Sequence, residues 1–400
     1  MRKITLLILC FIWIIDLMAQ NTSPKKVGDD YVTLYSKNTV KETTDTVIKK
    51  KNIFRKINDY FQSSNEDKTL TKKFDWSIIG GPHYSSDIKL GLGLVAAGLY
   101  RVDRDDLSIP PSNVSLFGDV TTTGFYMLGI RGNTFFKGAK YRLDYTSYFY
   151  SMPAKYWGIG YEHGAARDSF TTYDRDQSQI KVDFLYRVFK DAYVGATAGF
   201  NYVAGKKFEK PEYLNGEKDS YISSSLGLIL MYDSRDIITN AYEGWYLRFE
   251  QNFFPSFMGN KMAFSRSSFF ANHYNELWKG AVLASEVHGE FNYGDVPWTQ
   301  VAMLGNSYRM RGYYEGQYRD RNILEAQIEL RQKIWRRNGI AVWVGAGNVF
   351  HSFNRFKWSH TLPNYGVGYR WEFKKRMNVR LDLGFGKKET GFIFSINEAF

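Results

Sequence analysis

Six histidines, a single cysteine and the lack of a nucleophile elbow bound the covalent chemistry open to this 400-residue chain. His83, His163, His273, His288, His351 and His360 show no ligand spacing such as His-Glu-x-x-His, so none reads as a metal site. Cys10 lies inside an apolar leader. The mature chain therefore has no cysteine, which excludes disulfides and cysteine-based metal or redox chemistry. No Gly-x-Ser-x-Gly elbow precedes the strand-rich region, so a fused hydrolase of that kind is not expected. No catalytic residue or cofactor is implied, and the chain reads as non-enzymatic. A hydrolase assembled from Ser, His and a carboxylate on an outer wall stays a remote reading. What the sequence does supply is ionised side chains at alternate positions of apolar segments, and such groups are too costly to line a dry core.

The elements that carry these charges have a period of two from Phe74 onward. Ile180, Val182, Phe184, Tyr186 and Val188 alternate with Lys181, Asp183, Leu185 and Arg187. Leu324, Ala326, Ile328 and Leu330 alternate with Glu325, Gln327, Glu329 and Arg331, and Met377 to Phe385 repeats the pattern with Asn378, Arg380, Asp382 and Gly384. Successive strand side chains point to opposite faces, so apolar-out and polar-in describes a lipid-facing barrel with a wet interior. Sixteen strands are expected at about 74–82, 88–101, 112–122, 124–137, 139–151, 176–189, 191–205, 220–235, 243–255, 262–275, 278–293, 322–335, 338–350, 362–373, 376–387 and 389–400. The expected fold is all-β, a 16-stranded antiparallel transmembrane β-barrel, and the 17% aromatic content fits it. No segment past the amino terminus approaches the roughly 18–20 apolar residues of a spanning helix.

The two ends of the chain are read differently. Residues 1–19 form a secretory signal, with Arg2 and Lys3, an apolar stretch to Ile15 and Leu17-Met-Ala19 before the cut. Residues 20–73 form a polar, basic segment, with twelve Lys and Arg against seven Asp and Glu, or about +5 of the chain's +12. Within it, Ile53, Phe54, Ile57, Tyr60 and Phe61 share one helical face, so a short tethering or plugging helix is expected over 52–61. Export and the absence of a folded module argue against a nucleic-acid partner for this charge. Residues 74–400 are the barrel. Its last strand places Phe392, Phe394, Ile396 and Phe400 on one face and ends on an aromatic residue. A barrel must close its last strand onto its first, because an exposed sheet edge is not tolerated in lipid.

With the amino terminus on the periplasmic side, the connections 152–175, 206–219 and 294–321 fall outside the cell. The turns Arg336-Arg-Asn-Gly339 and Lys374-Lys-Arg376 fall inside. Strand 1 contains Gly80, Gly81 and Pro82, and Pro cannot donate to a ladder while Gly packs nothing. The first–last seam is therefore expected to be less well hydrogen-bonded than the rest.

Several motifs resemble the barrel of the BamA/TamA family, also called bacterial surface antigens. They are Met231-Tyr-Asp-Ser-Arg-Asp236 (with Asp233, Arg235 and Asp236), Glu243-Gly-Trp-Tyr246 (with Gly244) and Leu304-Gly-Asn-Ser-Tyr-Arg-Met-Arg-Gly-Tyr313. Glu329-Leu-Arg331, Gly345-Ala-Gly-Asn-Val-Phe350, Arg380-Leu-Asp-Leu-Gly384 and the terminal Phe complete the set. The resemblance implies that the longest loop folds back into the lumen and is fixed to the wall by its tip, matched here by Arg311-Gly312-Tyr313. Alternation turns Glu329 and Arg331 into the lumen, together with Trp343, Gly345 and Gly347, so Arg311 entering there would meet Glu329. A wet lumen would lower the cost of breaking that pair towards the roughly 0–1 kcal/mol of exposed pairs. The family's usual Asp stands at Gly345 and its second Gly at Asn306, which leaves open whether the anchor is weaker or re-wired. Structural staple and moving gate both remain readings of the pair. The seam resembles a lateral gate for client strands, with a local break in strand geometry as the alternative.

The expected function is insertion, assembly or export of outer-membrane proteins in a Gram-negative bacterium. The expected partners are outer-membrane lipid, the barrel-assembly machinery for the chain's own insertion, a separate periplasmic partner and client outer-membrane proteins. The family's assembly members carry periplasmic POTRA modules of about 75 residues, and 20–73 is too short for one. The alternative is a transport or diffusion channel plugged by 294–321.

Overall fold

The computed structural model describes residue 69 and residues 71–85, 89–106, 109–374 and 376–400. The expected leader, the helix over 52–61 and nearly all of 20–73 lie outside them. Eighteen strands follow in chain order: β1 (Asp75–Ser85), β2 (Lys89–Tyr100), β3 (Ser112–Thr121), β4 (Tyr126–Phe135), β5 (Tyr141–Tyr156), β6 (Thr171–Phe189), β7 (Ala192–Lys206), β8 (Ser220–Asp233) and β9 (Gly244–Phe254), then β10 (Phe264–Trp278), β11 (Ala281–Gly294), β12 (Ala302–Met303), β13 (Arg319–Asp320), β14 (Asn322–Trp335), β15 (Asn338–Phe350), β16 (Leu362–Lys374), β17 (Met377–Gly386) and β18 (Glu389–Ile396). Sixteen of them form one sheet in chain order, β11 pairing directly with β14, while β12 and β13 form a small hairpin inside the intervening loop. Each expected strand coincides with one of these sixteen, and the sheet curls into a barrel that sets β1 beside β18.

Alternation decides which face meets which medium. Ile180, Val182, Phe184, Tyr186 and Val188 are all exposed on the outer face, as are Leu90, Leu92 and Leu94 on β2 and Val342 and Val344 on β15. The opposite face of the same sheet buries Asp183, Arg248, Glu250, Glu286, Glu329, Arg331, Arg370 and Asp382. A soluble sandwich has the reverse arrangement, so these charges can only be held by one another inside the barrel.

Two strands run further than alternation suggests. The stretch 152–175 reads as loop, but β5 and β6 stay paired from Met152↔Arg175 out to Tyr156↔Thr171. The signal fails there for a physical reason. Beyond the apolar belt the outward positions are Thr172 and Asp174, while Tyr173 turns inward and is buried, so the hydrophobic rhythm inverts although the ladder continues. The last strand runs shorter. Phe392, Phe394 and Ile396 stand opposite Leu383, Leu381 and Val379 on the outer face. Phe400 does not join them: Asn397 adopts a left-handed φ of 69° and the tail turns inward, placing Phe400 against Ala241, Tyr274, Val282 and Ala284.

Among the described residues no ladder joins β1 to β18, whereas every other neighbouring pair of barrel strands is laddered. Gly80 sits where a Cβ would come within 2.8 Å of the Gly93 carbonyl oxygen, so it is a point of close approach between β1 and β2. Gly81 has open space at the same position. Pro82 pairs with Leu92 in the same ladder.

Candidate functional site

The loop 295–321 between β11 and β14 carries the densest chemistry. It crosses the lumen. At one wall Trp298 is buried against Tyr156, Tyr173 and Phe208, and its indole N–H donates to the Lys218 carbonyl at 2.8 Å. At the other wall Leu304, Met310, Tyr313 and Tyr318 pack with Ile323, Val349 and Leu362. The one-turn helix Tyr161–Ala165 lies over the loop: Gly160 N–H donates to Arg319 O at 2.7 Å, and Gln317 Nε2 to Gly164 O at 2.9 Å.

The tip of this loop is a guanidinium held on three sides. Arg311 is fully buried, with Nη2 2.7 Å from Glu329 Oε2 on β14 and Nη1 2.7 Å from Asp382 Oδ2 on β17. Its plane lies 3.7 Å from the ring centroid of Trp343 on β15. Arg370 meets Asp382 at 2.6 Å and Glu398 at 2.8 Å, Arg380 meets Asp382 at 2.9 Å, and Arg331 meets Glu329 at 2.7 Å. Four arginines thus share three carboxylates, and no charge in the network stands alone. Arg331 also donates to the main-chain oxygen of Phe400 at 2.8 Å and faces its ring, which ties the inward tail to the same network.

Glycine makes the approach possible. Gly312 has φ +114°, which L side chains rarely adopt, and a Cβ on Gly384 would lie 2.1 Å from Arg311 O. The loop backbone therefore lies flat on the wall at a depth that only glycine permits. Tyr313 seals the contact by donating to Pro363 O and accepting from Lys387 N–H, both at 2.7 Å. Burial pushes its phenol up to about 12, so the hydroxyl stays a donor at any ordinary pH.

The two departures from the family motif now have positions. A Cβ on Gly345 would meet Ala326 O at 2.9 Å, and the second carboxylate comes instead from Asp382. Asn306 accepts from Tyr308 and Arg309 N–H at 2.7 and 2.8 Å, closing the turn before the tip with its side chain. The lumen at the tip is not wet: Arg311, Glu329 and Asp382 are all 0% exposed, so the screening expected of a water-filled interior does not reach them.

The other sequence-selected residues lie apart from this tip. Asp233 receives both Arg235 Nε and Nη2, at 2.7 and 2.8 Å, and Arg142 at 3.5 Å. Asp236 accepts from Tyr242 N–H in the turn 234–243 and pairs with Arg376. Gly244, at φ +108°, leaves no room for a Cβ beside Ser234 O. Between that wall and the tail lies a cavity of about 450 Å³, bounded by Asp75, Arg131, Asp144, Lys181, Tyr308 and Phe400. Alternation had already turned Arg380 and Asp382 inward, but it gave no hint that Asp382, Arg380 and Asn364 would meet the loop, because nothing local connects strands 50 or more residues away.

A sixteen-stranded meander holding a long loop by a buried arginine is matched by a family model. The Omp85 superfamily domain covers residues 127–400. The chain belongs to the Omp85 superfamily. Among solved structures, this Omp85 chain is similar to BamA from Haemophilus ducreyi lacking POTRA domains 1–3, with a TM-score of 0.54, 12% identity, and coverage of 80% of this chain and 70% of that one. It is also similar to CdiB from Acinetobacter baumannii, with a TM-score of 0.51, 12% identity, and 82% and 60% coverage. For CdiB from Escherichia coli the values are 0.51, 10%, 81% and 62%, so the chain spans under two thirds of either CdiB. At these identities the likeness is one of fold. No curated protein matches the chain.

Proposed function

We propose that this Omp85 barrel sits in the outer membrane of a Gram-negative bacterium and acts, without catalysis, in the insertion, assembly or export of outer-membrane proteins. The long loops then face outward and the short turns face the periplasm, where a separate periplasmic partner meets the barrel. The observation that carries the reading is a contrast within one sheet. The axial route is crossed by a loop pinned through Arg311, while the β1–β18 seam has no ladder among the described residues. A barrel blocked along its axis, whose first and last strands meet without a ladder among the described residues, is suited to passing strands sideways. Arg311-Gly312-Tyr313 with Glu329 and Arg331 serve as the anchor in this reading, and Phe392, Phe394 and Ile396 as the lipid-facing end of the closing strand.

Depletion of the protein followed by quantitative outer-membrane proteomics tests this. Loss of a defined set of barrels or surface proteins is expected, and an unchanged outer-membrane proteome would overturn the reading. The cavity of about 450 Å³ favours a second reading, a diffusion channel. Steady conductance of the wild-type protein in planar bilayers, together with an unchanged proteome, would select it.

A further inference from the structure

Three turns on the short-turn rim repeat one device. β6, β10 and β14 each carry a β-bulge in their last residues, between Arg187 and Phe189, between Glu276 and Trp278, and between Lys333 and Trp335. Strict alternation would send Phe189, Trp278 and Trp335 into the lumen. The bulge inserts one residue and reverses that sense, pairing them with Ala192, Ala281 and Asn338 on the outer face. They end up 74%, 56% and 61% exposed, beside Val188, Leu277 and Ile334, which are also exposed. A cation follows at once in every case, giving Val188-Phe189-Lys190, Leu277-Trp278-Lys279 and Ile334-Trp335-Arg336.

Of the carboxylates near this collar, Asp191 interacts electrostatically with Lys190, while Glu276 and Glu372 are engaged elsewhere. Glu276 accepts the Gly280 N–H at 3.0 Å, and Glu372 pairs with Lys333 and accepts the Arg376 N–H. Arg336 lies 4.6 Å from the ring centroid of Trp335, and among the described residues no salt bridge takes up Lys190, Lys279 or Arg336. Three of the four bulged turns on this rim, the fourth lying in β16 between Glu372 and Lys374, thus set two exposed apolar side chains followed by a cation at the edge of the outer face.

We propose that these triplets form a binding collar for anionic glycerophospholipids in the leaflet that meets the short-turn rim. The paired apolar residues lie among the upper acyl carbons, and the cation meets the headgroup phosphate. This rests on the reading of the strands as membrane-spanning. Aromatic side chains favour the boundary between acyl chain and headgroup, and each Lys or Arg near an anionic surface adds about 1 kcal/mol, or about fivefold in affinity.

Native mass spectrometry of the detergent-purified barrel, exposed to phosphatidylglycerol or to phosphatidylcholine, tests the proposal. The wild type is expected to retain phosphatidylglycerol selectively, and Lys190→Ser/Lys279→Ser/Arg336→Ser to lose that selectivity, on the order of 100-fold for three cations. A companion variant, Phe189→Ser/Trp278→Ser/Trp335→Ser, should weaken both lipids alike. Heat-modifiable gel mobility reports folding for each, and if either triple variant fails to fold, the single Lys279→Ser is read with a fivefold expectation. Equal retention of the two lipids by the wild type, or unchanged selectivity in the charge variant, would overturn the proposal. Loss of a co-purifying protein with lipid retention intact would also overturn it, assigning the collar to a protein partner. A barrel that fails to fractionate with membranes at all marks failure of the membrane reading instead.

Discussion

Along β14, β15 and β17 the lumenal wall is glycine, tryptophan and paired charge, pressed against a loop that it holds at a fully buried guanidinium. Along β1 to β4 the same face of the same sheet presents Ser77, Ala97, Asn113 and Arg131, holds no loop tip among the described residues, and borders the cavity of about 450 Å³ beside the β1–β18 seam. The alternation is identical, so period alone does not distinguish the two walls. The difference lies in contacts across the lumen. One wall is fixed by a network of buried charges that share their partners, and the other has little to lose when it moves. Rearrangement of the barrel is therefore expected to fall on the β1 side, leaving the loop and its wall as a rigid reference.

Breaking the clamp should have the largest effect. Arg311→Ala leaves Glu329 and Asp382 buried without their shared partner, at a cost of about 3–5 kcal/mol. The expected outcome is a loop 295–321 open to protease and a barrel that unfolds at lower temperature on heat-modifiability gels. Wild-type values for both would mean that the loop is not held there. Arg311→Lys keeps the charge but loses the fork, and should fall between the two.

Gly384→Ala attacks the same contact sterically, since its Cβ would lie 2.1 Å from Arg311 O. Overpacking of this kind costs about 1–3 kcal/mol, and loop protease sensitivity should rise with no change of charge. Equal protection in Gly384→Ala and wild type would show that the close approach is not needed.

Tyr313→Phe removes one donor and one acceptor and should cost about 1 kcal/mol, read as the midpoint of thermal loop release. The pH dependence sharpens this. The folded phenol stands above its ordinary value of 10.0, at about 12, so its contribution is fully present below pH 10 and lost as pH rises towards 12. Loop protection in the wild type should be flat from neutrality to about pH 9 and decline above 10, and the Phe variant should lose that part of the decline. The smallest effect belongs to the other wall. Arg131→Ala should leave loop protection and stability within about 0.5 kcal/mol while altering any conductance through the cavity. A change in loop protection would mean that the two walls are coupled after all.

Much of this could be read before any coordinates. Ile180 to Val188 and Leu324 to Arg331 announce their outer and inner faces because a strand has only two, and the strand number follows from counting such segments. Alternation also turned Glu329, Asp382 and Trp343 inward. It misread 152–175, where the outer face leaves the apolar belt and turns polar, and it put Phe400 outside, because one left-handed residue at Asn397 lies beneath its notice. The bulges at Phe189, Trp278 and Trp335 were equally hidden, since an inserted residue shifts the pattern only at its very end.

The sequence by itself determined a sixteen-stranded barrel with an apolar outside and a charged inside, because both follow from a period of two and the cost of burying charge in lipid. Only the tertiary structure decided which charges meet. Arg311 is 18 residues from Glu329 and 71 from Asp382, and it reaches both because closing the sheet into a barrel brings strands remote in sequence around one lumen. The Gly384 approach then fixes how deep the loop can lie.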